Sequence, residues 1–408
     1  MIKYTIKMMK RNLFINLFVV IQIAVTLFLI VICTSSIMFK IEDYLPLRKL
    51  LNKDGKFIIT TGTKNYEYGD DNYYTSDDFF KLEDISVNNN KIKEVYGCTS
   101  VNIYPANENS SPLIFSYTQN MIDLYTPDIK YGKWLNKADT RSDEIAAVVT
   151  YNTKYKVGDL VEFTDSVNHY NFRIIGMLDK TAQTINTNGD SKSNYYYTFK
   201  DIYQTKNLLE FYVNYEDVKN AEISQEPIGA LFVVYEKGLN DEEKLELNRK
   251  LYQFGALMDL SELNQNSIEY LKSDITLILP ISLCILILTL INSVAVNAIQ
   301  TKTNLKAYSI FFICGAKWKV GIIISLLNGL FTWLFGVVLS GILAFIFTNM
   351  NGSSQYIISF NLPEIIMCVL MGLLNIIVSI ILPILIISKQ NPRELLIDNI
   401  MSPLSRHK

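Results

Sequence analysis

Four long stretches without a single charged side chain constrain this chain more than any other feature: residues 13–39, 275–299, 320–349 and 365–388. A helix rising about 1.5 Å per residue needs about 20 apolar residues to cross a hydrocarbon core of about 30 Å, so each stretch is predicted to be a transmembrane helix. Composition agrees. Of 408 residues 49% are hydrophobic and only 19% charged, too apolar for an ordinary soluble protein and long enough for two or three folding units.

Lysine and arginine near the span ends set the orientation. Lys3, Lys7, Lys10 and Arg11 precede the first span, Lys302, Lys306, Lys317 and Lys319 lie between the second and third, and Lys389, Arg393, Arg406 and Lys408 follow the fourth. The connector over 350–364 has neither residue type, so it belongs outside while the three basic groups face the cytoplasm. Residues 40–274 then lie outside, and a domain of that length translocates regardless of its lysines. The fold class expected is a membrane protein of four transmembrane α-helices, with a large α+β extracytoplasmic domain inserted between the first and second.

The N-terminal apolar run is too long for a secretory signal and ends without a small-x-small cleavage site; Ile32 before Cys33 also fails a lipoprotein signal. It is read as a retained span. Three of the five cysteines, Cys33, Cys284 and Cys368, fall in spans, and Cys314 falls in the cytoplasmic connector. Cys98 alone is outside, so the outer domain is expected to hold by its core and not by an internal disulfide. A net charge of -2 offers no nucleic-acid surface.

The outer domain mixes both secondary-structure periods. Runs beginning at Phe57, Ala146, Asp159, Phe172 and Ala230 are short, β-branched or aromatic, and bounded by polar residues or glycine, as strands are. One helix is predicted at "NDEEKLELNRKLYQFG", with Asn240 and Glu243 as a capping box, Leu247, Leu251 and Phe254 on one face, and Gly255 as its stop. Another is predicted from Ser76 through "TSDDFFKLEDI". The polar, tyrosine-rich segment over 181–220 reads as an insertion or small second lobe, and Asn88 to Asn90 as a loop.

Several chemistries lack their residues. There is no phosphate-cradling G-x-x-x-x-G-K-[ST] loop, no H-E-x-x-H and no G-x-S-x-G; the two histidines, His169 and His407, have no metal-spaced partner. His169 reads as a hairpin residue. No enzyme activity, catalytic group, metal site or cofactor is expected in this chain. The span interiors carry no charge, unlike ion-coupled transporters. Their polar residues Gln22, Asn292, Asn297, Asn328 and Asn375 are expected to hydrogen-bond between helices, and "GVVLSG" at Gly336, Ser340 and Gly341 to give a close-packing face.

The connector over 300–319 is cytoplasmic yet apolar. As a short helix it presents Leu305, Tyr308, Ile310, Phe311 and Phe312, with Lys306 among them, and Gly315 stops it before Ala316, Lys317 and Trp318. Two readings fit equally: a surface gripped by a protein partner, or a helix resting in the headgroups with Trp318 and the lysines as anchors.

With its glycine-alanine ending, the connector resembles that of MacB/FtsX-like permeases, the membrane subunits of type VII (mechanotransmission) ABC transporters. "YGKWLNKADTRSDEIAAVVT", "YKVGDLVEF" and "FRIIGMLD" are similar, in order, to a turn, strand, turn and strand of that family's extracytoplasmic core, and "KQNPRELLID" to its ending. "MIKYTIKMMKRN" resembles its amphipathic N-terminal helix, with Ile2, Ile6 and Met9 opposite Lys3, Lys7 and Lys10, expected to rest on anionic membrane lipid. One departure is that Ala307 and Asn328 stand where family members often carry acids.

The resemblance implies a division by residue number: 1–12 amphipathic helix, 13–39 first span, 40–274 outer domain, 275–299 second span, 300–319 coupling segment, 320–349 third span, 350–364 outer loop, 365–388 fourth span and 389–408 cytoplasmic tail. It implies a bacterial plasma-membrane permease that hydrolyses nothing itself, with ATP and Mg in a separate cytoplasmic ABC ATPase and a second permease subunit completing a homodimer or heterodimer. The first and second spans would continue outward as stalks through "EDYLPLRKLL" and "SELNQNSIEYLKSD". The expected work is export or extraction of a peptide, toxin or lipid-linked cargo. A non-transporting scaffold for an outer cell-wall hydrolase and a membrane receptor are the alternatives.

Overall fold

Every apolar stretch folds as helix, and two of these helices are far longer than a bilayer requires. The structure, a computed structural model, describes residues 2–60, 82, 85, 90–106, 112–136, 144–165, 167–188, 196–205, 208–315, 319–350 and 362–388. Its helices are α1 (Ile2–Arg11), α2 (Leu13–Leu51), α3 (Gln119–Leu124), α4 (Phe199–Ile202), α5 (Tyr215–Asn220), α6 (Asp241–Tyr252), α7 (Leu260–Ile313), α8 (Lys319–Met350) and α9 (Leu362–Ser388). The chain divides into a helical unit, Met1–Lys40 with Ser273–Lys408, and an α+β unit, Ile41–Lys272.

The strands of the α+β unit are β1 (Gly55–Thr60), β2 (Ile92–Tyr96), β3 (Cys98–Val101), β4 (Tyr104–Pro105), β5 (Leu113–Tyr117), β6 (Ile129–Gly132), β7 (Ile145–Val149) and β8 (Leu160–Thr164). After them come β9 (His169–Leu178), β10 (Gln183–Ile185), β11 (Tyr203–Thr205), β12 (Glu210–Asn214), β13 (Gln225–Pro227), β14 (Gly229–Tyr235) and β15 (Ala256–Asp259). They form a four-stranded sheet, β15-β1-β14-β2, a nine-stranded sheet, β13-β3-β5-β12-β7-β9-β8-β4 with β6 also on β9, and a β10-β11 ribbon. Pairing is antiparallel except at β12 with β5 and β7 with β9.

Side-chain alternation builds the core in layers, because successive strand residues face opposite sides. Phe57 and Ile59 of β1, Phe232 and Val234 of β14, Val148 of β7 and Tyr212 of β12 share one buried cluster. Their neighbours divide: Ile58, Leu231 and Val233 pack with Leu247 and Leu251 of α6 and with Phe254 just beyond it, while Ala147, Val149, Phe211 and Val213 form a third cluster. The expected capping box closes α6, with Asn240 Oδ1 accepting from Glu243 N at 2.8 Å and Glu243 Oε2 accepting from Asn240 N at 3.1 Å. Of the helix expected from Ser76, only Leu82 and Ile85 lie within the described residues, both helical and buried beside α6. Asn88, Asn89, most of the 350–364 connector and the 389–408 tail lie outside them.

The strands expected at Phe57, Ala146, Asp159, Phe172 and Ala230 are β1, β7, β8, β9 and β14. Segment 181–220 is not one lobe. Gln183–Ile185 and Tyr203–Thr205 form the ribbon, but Glu210–Asn214 is an interior strand of the nine-stranded sheet, buried at all five positions. Reading the segment by overall polarity hid a strand whose apolar members, Phe211 and Val213, are both wholly buried.

The two glycine motifs quoted from the sequence meet in space. Gly132, at φ +78°, pairs with Gly176 across β6 and β9. A Cβ on Gly132 would lie 2.2 Å from the Ile175 carbonyl oxygen, and one on Gly176 2.1 Å from that of Lys133, so neither position has room for a side chain. The β7 to β9 register shifts at this place, as a bulge does.

In the helical unit three helices are long and apolar enough to cross a membrane among the described residues: Leu13–Leu51, Leu260–Leu305 and Val320–Thr348. α9, 27 residues long, is also strongly apolar. The connector is not a separate short helix: α7 continues through it to Ile313, since residues 300–313 contain neither glycine nor proline to break it. Gly336 packs against Ile23 and Ser340 is buried, but Gly341 faces open space, so the small-residue face is narrower than expected. Gly372, on α9, lies against the Trp333 ring.

Candidate functional site

The expected stalk pieces are the ends of α2 and α7, and within the α+β unit they are clamped to each other. Leu47, Leu50 and Leu51 of α2 and Leu260 and Leu263 of α7 are at most 1% exposed and share the central cluster. The Tyr44 hydroxyl donates to Asn264 Oδ1 at 2.7 Å, and Asn264 Nδ2 donates to Asn52 Oδ1 at 2.9 Å. Further along α7, Asn266 Nδ2 donates to the Tyr197 carbonyl at 3.2 Å. Ser267 Oγ accepts from Phe199 N at 2.9 Å while donating to the Leu263 carbonyl at 2.6 Å.

Next to Tyr44 the same helix carries a costly acid. Burial, reinforced by the charges of Glu42 and Asp128, lifts the Asp43 carboxyl to about 7, although it accepts a hydrogen bond from Gln183. Burial raises the hydroxyl of Tyr125, with Asp43 and Asp128 adding to it, and that of Tyr203, with Tyr125 and Asp43 adding; the two rings lie tilted, 4.7 Å apart.

Within the helical unit α2 and α7 are tied again, by three polar rungs. Thr26 and Thr289 share a hydrogen bond of 2.7 Å, Asn292 Nδ2 donates to Gln22 Oε1 at 2.7 Å, and Gln300 Nε2 donates to Asn16 Oδ1 at 2.8 Å. From the end of α1, the Arg11 guanidinium also donates to Asn304 Oδ1 of α7. Partner numbers fall along α7 as they rise along α2 by nearly equal steps, the signature of an antiparallel helix pair. Asn328 Nδ2 of α8 donates to Gln300 Oε1 at 2.7 Å, and Asn16 Nδ2 to the Met9 carbonyl of α1 at 3.1 Å, so α1, α2, α7 and α8 join in one network. In hydrocarbon such bonds contribute about 0.6 to 2 kcal/mol each.

Gln22, Asn292 and Asn328 thus do bridge helices; the side chains of Asn297 and Asn375 are outside what is described. Sequence reading missed Arg11, Asn16, Thr26, Thr289, Gln300 and Asn304. Their signal was polar residues recurring along two apolar helices at matching intervals.

At the C-terminal end of α7, Cys314 N donates to the Ile310 carbonyl at 3.0 Å, and Gly315 then turns at φ +92° with open space around it. Leu305 is half-buried and Ile310 is 53% exposed. Lys306, Tyr308, Phe311 and Phe312 lie in α7 with side chains outside what is described, and Ala316, Lys317 and Trp318 lie outside the described residues altogether. Ile2, Tyr4 and Ile6 of α1 are exposed. His169 sits at the start of β9, opposite Thr164 in the β8-β9 hairpin, with its Nδ1 2.8 Å from Glu162.

No family model matches this chain, and no curated protein does. Several solved structures overlap it, among them the two that follow. The periplasmic region of MacB from Actinobacillus actinomycetemcomitans is 15% identical at a TM-score of 0.31, covering 54% of this chain and 94% of its own. The extracellular domain of the noncanonic ABC-type transporter YknZ from Gram-positive bacteria is 14% identical at a TM-score of 0.28, covering 51% and 99%.

Proposed function

We propose that this chain is a four-span permease subunit of an ABC transporter of the mechanotransmission kind. In this reading the α+β unit is extracytoplasmic and a separate cytoplasmic ABC ATPase grips the inner end of α7. The observation that carries it is the continuity of two clamped helices. At about 1.5 Å per residue, the 54 residues of α7 span about 80 Å and the 39 of α2 about 58 Å, against a core of about 30 Å. Each contributes to the helical unit and to the α+β unit, and each unit ties the pair by hydrogen bonds. A displacement at one end of a continuous helix is passed along its hydrogen-bonded backbone, with Pro280 in α7 and Pro46 in α2 as the places where each can bend, so in this reading a stroke near Gly315 reaches the root at Asn264. Spans without a charged residue, in which the described amides Gln22, Asn292 and Asn328 bond between helices, suit a lever and offer a charged cargo no path.

The work is the export or extraction of a peptide, toxin or lipid-linked cargo, by a homodimer or heterodimer with ATP and Mg in the ATPase. Pull-down of the tagged chain from its native membrane tests this. An ATP-hydrolysing companion is expected with wild type and lost with Phe311→Asp plus Phe312→Asp, while the variant still inserts. Equal recovery in both, or recovery in neither, contradicts the reading.

A further inference from the structure

The α+β unit has a cavity that its own fold leaves unfilled. Protein interiors pack with few voids larger than a water, yet about 110 Å³ lies open between β1, β15 and the first turn of α7, room for several waters or one branched aliphatic side chain. Phe57 and Ile59 stand opposite Met258 and Ala256 in the β1-β15 register, so these four side chains line it from one face of the sheet; Tyr197 closes another side. Phe57, Ile59, Tyr197 and Met258 are all buried, which makes the walls apolar.

Glu262 lines the same cavity and is exposed. The neighbouring acid Asp259 is already held by Lys56 at 2.8 Å, whereas Glu262 has no basic partner among the described residues. β15 pairs only with β1 among the described residues, so its other edge has no strand partner among them, and such an edge is a template for an added strand.

We propose that the cavity and the free edge of β15 bind an extended peptide, with a large aliphatic side chain in the cavity and a basic residue two positions away on Glu262. The spacing follows from the strand period, which puts residues two apart on one face. The charge follows from a carboxylate that has no basic partner among the described residues and stands beside apolar walls. This site is separate from the ATPase-coupling end of α7, so binding is measured without ATP or a companion protein.

The test uses the full chain in zwitterionic nanodiscs and a fluorescein-labelled pentapeptide, threonine-leucine-threonine-lysine-threonine, with binding to empty nanodiscs subtracted. Anisotropy should show saturable binding, weakened at least fivefold by Glu262→Gln and by Ala256→Phe, which fills the cavity. Replacing the probe's lysine by glutamate should abolish binding to wild type and restore it to Glu262→Lys. Because residue 262 is exposed, this charge exchange remains informative even if Ala256→Phe misfolds. Equal affinity in wild type and the Glu262 variants, indifference to the probe's charge, or no saturable binding overturns the proposal.

Discussion

Asp43 gives the α+β unit a pH dependence of definite sign. Its carboxyl is held at about 7 in the folded chain against an ordinary 3.8, so the folded state binds more protons than the unfolded between about pH 4 and 7. Its contribution is therefore most favourable at low pH, falls as pH rises through that window and levels off above it. At about 1.4 kcal/mol per pH unit the ceiling is about 4 kcal/mol. The carboxyl is only partly buried and water relaxes around it, so about 1 to 2 kcal/mol is the expected size. Asp43→Asn keeps the acceptor for Gln183 and removes the charge. It should match wild type near pH 4 and exceed it by that amount at pH 8. Urea unfolding followed by Trp134 fluorescence, with Trp318→Phe and Trp333→Phe in the background, reads this unit alone. Other acids titrate in both proteins and cancel in the difference. A difference independent of pH, or a less stable variant at pH 8, refutes the reasoning.

Gly176→Ala should destabilise the same unit by about 3 kcal/mol or more in that assay, because its Cβ would sit 2.1 Å from a fixed carbonyl; a loss below about 1 kcal/mol would mean the β6-β9 crossing is looser than described. For the helical unit, Asn16→Leu and Gln300→Leu in a double-mutant cycle should give a coupling of about 0.6 to 2 kcal/mol by unfolding in mixed micelles, and additive effects would deny the rung.

Periodicity made the long apolar helices, α6 and five of the fifteen described strands, β1, β7, β8, β9 and β14, legible before any coordinates. The α6 box could be read because its two partners lie three residues apart, and β1 and β14 because β-branched runs stand between turns. What escaped depends on distant partners. β12 was hidden in a polar segment, since Glu210 and Tyr212 look solvent-facing until Glu210 is seen to accept from Tyr212 at 2.5 Å inside the core. The rungs escaped because Thr26 or Gln300 alone is an unremarkable polar residue, and only the opposite helix gives it meaning. Gly132 and Gly176 were read as separate turn and strand features; their mutual contact, which excludes any side chain from both, is a tertiary fact. The stop expected at Gly315 coincides with the end of α7, but the helix does not start within the connector: it runs unbroken from Leu260.

The central claim is that a stroke at the inner end of α7 reaches its root. Hydrogen exchange over residues 44–52 and 260–271, in the complex purified with its own ATPase, reads that root directly with and without ATP. Protection there should change when ATP binds, and the change should vanish in the Phe311→Asp, Phe312→Asp variant. Identical exchange in both nucleotide states of an active complex would contradict the claim.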